Sequence, residues 1–243
     1  MEWMVQLIGD SSDLSALAES LNAADVNISH DGQSYIMMSA AFSSDLSADG
    51  VRKKAQDIVD VLNGAIRLVL DSTEAIRLGA VYRIRDDGSR EISVFPEPNV
   101  IHLRAVAGTV QITHVDGTVQ VFHPAAPVKE WLAIAAQSKA VAKVLRLVAG
   151  GPFDWVNLYK AFEIVEADVG GVDAVASAGW ATKSSIRLFK HTANSPGAIG
   201  LESRHGKEAN DPPPRPMTIS EARSLVTSLI HAWLRSKPLP LVP

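Results

Sequence analysis

Val119-Gln-Val-Phe-His-Pro-Ala-Ala-Pro127-Val-Lys-Glu-Trp131-Leu-Ala-Ile134-Ala135 is where the chain changes its hydrophobic period. Before it the period is two. Val110, Ile112 and His114 run into Asp116-Gly117, and Val119 and Val121 run out of it, the alternation of a hairpin with one buried face. After it, Trp131, Ile134, Ala135, Val141, Ala142 and Leu145 recur at helical spacing. Pro124 and Pro127 bracket the change, and Pro127 has the fixed φ that suits a first helical position. The chain therefore reads as α+β: an N-terminal β-α-β-β-α unit with antiparallel strands, residues 1–126, then a small α-helical bundle, residues 127–243.

Toward the N-terminus, Trp3–Ile8 is a strand, and Ser11-Ser12-Asp13 caps a helix carrying Leu14, Leu17 and Leu21. Val26–His30 and Ser34–Phe42 flank Asp31-Gly32, a type I′ hairpin dipeptide. A second helix starts near Ser47 and buries Val51, Ala55, Ile58, Val59 and Leu62. Asn63-Gly64 offers a C-cap, with Ile66–Leu70 as an alternative extension. About five antiparallel strands follow, Tyr82–Ile84, Ile92–Val94 and Val100–Val106 among them.

Toward the C-terminus, one helix is expected from Pro127 to Gly150-Gly151, with Ser138 bonding back inside it. Asp154 caps a helix with the stripe Trp155, Leu158, Tyr159, Phe162 and Val165. A shorter helix covers 183–190, and Thr218-Ile219-Ser220-Glu221 is a capping box opening the last one.

Charge divides as the periodicity does. The chain of 243 residues has a formal charge of −4, but residues 1–127 hold 9 Lys and Arg against 17 Asp and Glu, and residues 128–243 hold 14 against 10. An acidic half thus precedes a basic one. Neither has the charge density of a dedicated nucleic-acid binder. With no cysteine, thiolate metal sites, disulfides and cysteine nucleophiles are excluded. No apolar run reaches transmembrane length and the first residues lack a signal-peptide pattern, so a soluble, cytoplasmic protein without membrane association is expected. Phosphate loops, GxGxxG, GxSxG and HExxH motifs are missing, and the seven His stand singly. No metal and no cofactor is expected.

Polar residues concentrate between Trp180 and Pro216. On helix 183–190, taking Ile186 as 0°, Lys190 lies at about 40°, Lys183 at about 60°, Arg187 at about 100° and His191 at about 140°. This arc reads either as an anion-binding face, with Asn194 and Lys207 adding donors, or as a solvated face whose Lys190 and His191 suit a helix C-terminus. The segment 192–216 reads as a long functional loop. Within it, Arg204-His205-Gly206-Lys207 places an anion fork beside a titratable imidazole. His205, Arg204, His191 and Arg187 are the catalytic candidates, with His205 as general acid or base; equally, Arg204 ties the loop down. Glu166 falls at about 20° inside the apolar stripe of its helix, where Trp155 is 0° and Glu163 lies at about 80°. A carboxylate so placed needs a cation, and a Glu166–Arg204 (or Arg187) pair is expected.

In its Arg, His and Asn content, the helical half (128–235) resembles the HEPN ribonuclease-like bundles, whose signature is Arg-x(4–6)-His. Arg187 precedes His191 by three intervening residues, so that signature is not met. The resemblance implies ribonuclease activity through Arg and His. Two functions follow: a binding or regulatory protein that recognises a protein partner or anionic ligand through 183–207, and a phosphodiester-directed enzyme acting on RNA.

Overall fold

The computed structural model describes residues 2–22, 25–45, 47–85, 89–95, 110–113, 119–122, 125–150, 153–204 and 211–239. The chain separates into two compact units, Met1–Leu132 and Ala133–Pro243. The fold is α+β.

The first unit holds β1 (Glu2–Ile8), α1 (Ser11–Ser20), β2 (Val26–His30), β3 (Tyr35–Ser39), a 3₁₀ turn at Ala40–Ser44, α2 (Ala48–Leu70), β4 (Arg77–Ile84) and β5 (Arg90–Ser93). The five strands form one antiparallel sheet in the order β2-β3-β1-β4-β5. The central strand is β1, and its alternation explains why: Trp3, Val5 and Leu7 are buried on one face. Gln6, on the other face, stitches both neighbours together. Its amide donates to Ser34 Oγ at 3.0 Å and accepts from Ala80 N–H at 3.3 Å, where the β1–β4 register shifts. Two further strands, β6 (Val110–Thr113) and β7 (Val119–Phe122), pair with each other as a separate two-stranded sheet among the described residues. The expected strand at 100–106 lies outside the described residues.

Local chemistry moved several expected boundaries. The N-cap of α1 is Asp10, which accepts from Ser12 and Asp13 N–H, so Ser11 is already helical. The β2–β3 turn is not type I′: Gly32 takes φ 94°, but Asp31 stays at negative φ and its carboxylate accepts from Gln33 and Ser34 N–H instead. Asn63-Gly64 does not end α2. Asn63 brackets the backbone of Ile76, donating to its carbonyl at 2.9 Å and accepting its N–H at 2.7 Å, and the helix runs on to Asp71 at φ 50°.

The chain then enters α3 (Ala126–Gln137). The single long helix expected here is broken at Ser138, which sits at extended dihedrals and caps α4 (Lys139–Ala149) by accepting from Val141 N–H. The hydroxyl serves the next helix rather than the preceding turn. There follow α5 (Trp155–Val169), α6 (Val172–Ser177), α7 (Lys183–Ala193), α8 (Pro196–Ile199), a 3₁₀ turn at Gly200–Glu202, and α9 (Ile219–Ser236). Asp154 caps α5, and the Thr218–Glu221 capping box opens α9. The second unit has Phe189 at its centre, with ring centroids 6.2 Å from Trp155, 5.8 Å from Tyr159 and 5.5 Å from Phe162.

Asp168, near the end of α5, accepts from Trp233 Nε1 at 2.8 Å and from Lys237 Nζ, joining α5 to the end of α9. Burial alone would raise its carboxyl pKa, but the hydrogen bonds from Lys237 and Trp233, with the Lys237 charge, outweigh that and hold it below the usual 3.8. A lowered folded-state value gives stability that is present above the unfolded value and lost as pH falls through the folded one. Asp168→Asn is therefore expected to destabilise the protein at pH 7. The gap to the parent should narrow below about pH 3; a gap constant in urea melts from pH 7 to pH 2 would contradict this.

Candidate functional site

Helix α7 begins because Thr182 accepts from Ser185 N–H at 3.1 Å, and it is held down by Ile186 and Phe189, both buried. Steps of three, four and seven residues then put Lys183, Arg187, Lys190, His191 and Asn194 along one side. All five line one open cleft of about 900 Å³, together with Tyr159 of α5, Asp173 of α6, Ser195 and Asp211. The helix runs three residues past the expected end, which brings Asn194 to its C-cap.

Part of the expected loop 192–216 is regular structure. α8 and the 3₁₀ turn occupy 196–202, and Arg204 N–H donates to Ala193 O at 3.0 Å. On the far side, Met217 N–H donates to the buried Thr192 hydroxyl at 3.1 Å. His191 Nε2 lies 2.8 Å from Asp211 O. A carbonyl oxygen only accepts, so the His191 ring nitrogen facing it carries a proton. His205 and Lys207 lie outside the described residues.

The charges around the cleft are mostly engaged. Lys183 meets Asp173 at 2.6 Å, with both side chains largely exposed. Lys190 Nζ donates to both Glu166 oxygens at 2.7 and 2.8 Å and lies 5.1 Å from the Phe162 ring centre. Arg187 is exposed and has no hydrogen bond or ion pair among the described residues.

Glu166 does require a cation, but the partner is Lys190 and not Arg204 or Arg187. Arg204 instead pairs with Glu163 at 3.1 Å, and its guanidinium lies 4.5 Å from the Tyr159 ring centre. The reason is where each cation enters. Arg204 is tied to the end of α7 at Ala193 and so meets Glu163 one turn earlier on α5, whereas Lys190 reaches Glu166 from α7 itself. Arg204 is thus an anchor of the 200–204 segment and does not line the cleft.

Three participants escaped the sequence reading: Asp173, Ser195 and Asp211. Ser195 is 3% exposed and its hydroxyl has no hydrogen-bond partner among the described residues. Asn194 spends its amide nitrogen on Lys190 O at 2.8 Å and Tyr159 Oη at 3.2 Å, and its buried Oδ1 has no partner among the described residues. Only Ser195-Pro196, a capping pair, hinted that a helix starts there.

Among the described residues, no three His, Asp or Glu side chains gather as metal ligands, and no helix is long and apolar enough to cross a membrane. Comparison with known protein families, with curated proteins and with solved structures found no match.

Proposed function

We propose that the helical unit is a binding module that receives an anionic group, on a ligand or a partner, in the cleft beside α7. One observation carries this reading: among the described residues, Arg187 is an unengaged guanidinium on the wall of a concave site, while the cations beside it are held by carboxylates. A guanidinium offers a planar fork of donors that matches carboxylate and phosphate. Lys183, whose exposed pairing with Asp173 contributes little, turns to the same ligand at small cost.

The test is Arg187→Ala. Its side chain is exposed, so the fold is expected to survive with unchanged circular dichroism. Anion binding, followed by calorimetry in low salt, is expected to weaken about tenfold or more, the worth of a charged hydrogen bond. Equal affinity of parent and variant would remove the proposal.

A second reading, phosphodiester cleavage, draws on Arg187 and His191 standing one helical turn apart on the same cleft wall. Cleavage of labelled RNA by the full chain, abolished by His191→Ala or His205→Ala, would put it first.

A further inference from the structure

The charge balance and the orphaned polar atoms of this cleft say more about the ligand than that it is anionic. Among the described residues, counting Glu166 with those that line the cleft, Lys183, Arg187 and Lys190 face Asp173, Asp211 and Glu166, and these charges sum to zero. A polyanion would gain the Arg187 guanidinium and, at most, Lys183 drawn from Asp173, and would meet the carboxylates of Asp173 and Asp211. A single negative charge carried on an otherwise neutral or donor-rich body meets no such penalty.

The second observation lies at the other end of the cleft. Asn194 Oδ1 and Ser195 Oγ are buried and without partners among the described residues. Both Asn194 amide hydrogens are already placed on Lys190 O and Tyr159 Oη, which leaves the oxygen, an acceptor, as the unpaired end. A buried acceptor left unpaired is costly, and a ligand N–H or O–H that reaches it recovers that cost. An ionised carboxylate or phosphodiester group by itself offers acceptors alone. Both atoms are closed to solvent in the free protein, so binding includes an adjustment of the 194–195 turn that brings them to the donor.

Spacing connects the two ends. Arg187 and Asn194 are seven residues apart on one helix, about 20° apart around its axis and about 10 Å apart along it. An extended peptide rises about 3.4 Å per residue, so about three residues cover that distance and present an N–H at each step. We propose that the cleft takes an extended acidic peptide segment, its carboxylate on Arg187 and a backbone N–H on Asn194 Oδ1, beside Ser195 Oγ. This rests on the anion-binding reading and narrows it to one class of ligand.

The experiment follows backbone amide shifts of the full chain in low salt during titration with matched probes. These are acetyl-Gly-Gly-Asp-Gly-Gly-amide, its Asn counterpart, its counterpart with every Gly replaced by N-methylglycine, acetyl-pentaglycine with a free C-terminus, inorganic phosphate and a uridine dinucleotide. The Asp peptide is expected to shift residues 187–195 saturably and to bind about tenfold more tightly than either the Asn or the N-methylated peptide. Arg187→Ala should abolish the Asp-over-Asn preference. Ser195→Ala should narrow the preference over the N-methylated peptide and leave the Asp-over-Asn ratio alone. Tighter binding of free-ended pentaglycine would assign the carboxylate to a chain end and support the same chemistry. Phosphate or the dinucleotide binding as tightly as the Asp peptide would overturn the peptide inference while leaving the anion site standing. No Arg187-dependent shift with any probe would overturn both.

Discussion

Phe189→Ala is expected to lower the stability of the helical unit by about 3–5 kcal/mol, the range for deleting a fully buried aromatic ring. The ring is 0% exposed and contacts Trp155, Tyr159 and Phe162 at once, so its removal leaves a cavity lined by three aromatics of α5. Those rings cannot close the gap without leaving their own rotamers. Denaturant melts followed by tryptophan fluorescence should show a lower midpoint with little change in slope. Phe189→Leu, which keeps more of the volume, is expected to cost less than half as much. A loss under about 1 kcal/mol for the alanine variant would mean that α7 is held to α5 chiefly by its ion pairs. The site depends on this packing, because Phe189 fixes the rotation of α7 that turns Lys183, Arg187 and Asn194 to the cleft.

Features that depend on one segment were legible in the sequence. The α9 capping box, the Asp154 cap and the cationic arc of α7 each follow from residues a turn or less apart, and all three are present. What failed was competition between local and distant partners. Asn63 has the side chain of a helix cap, but Ile76, 13 residues on, takes both its donor and its acceptor. Ser138 can bond back to the preceding turn or forward to the next helix, and only tertiary packing chooses. The cleft follows the same rule. Its α7 wall was readable, whereas Asp173 and Asp211 arrive from α6 and from the strap before α9, through packing that no periodicity records. The wheel placed Glu166 correctly as a carboxylate needing a cation, but it could not rank Lys190 above Arg204, because that depends on where the 200–204 segment is pinned.

Lys190→Met and Glu166→Gln are expected to act in opposite directions on binding while both reduce stability. The Lys190–Glu166 pair is half-buried, with side chains 31% and 19% exposed, and the ammonium lies over Phe162. Lys190→Met leaves the carboxylate sheltered without its cation, at a cost of about 1–3 kcal/mol, below the value for fully buried pairs because water still reaches it. Glu166→Gln leaves the ammonium, whose longer stem can swing to solvent, so its cost should be smaller. The double variant should cost less than the sum of the two, since neither charge is then stranded, and a double-mutant cycle in urea measures that difference. On binding the signs separate. Glu166→Gln releases a cation about one helical turn from Arg187, and in a solvated cleft this contributes roughly 0.5–1 kcal/mol, a two- to fivefold gain in anion affinity. Lys190→Met unmasks a carboxylate on the same wall and should weaken anion binding by a similar factor. If both variants weaken it equally, the cleft responds to loss of packing and not to its charge, and Arg187 is then not the anchor of an electrostatic site.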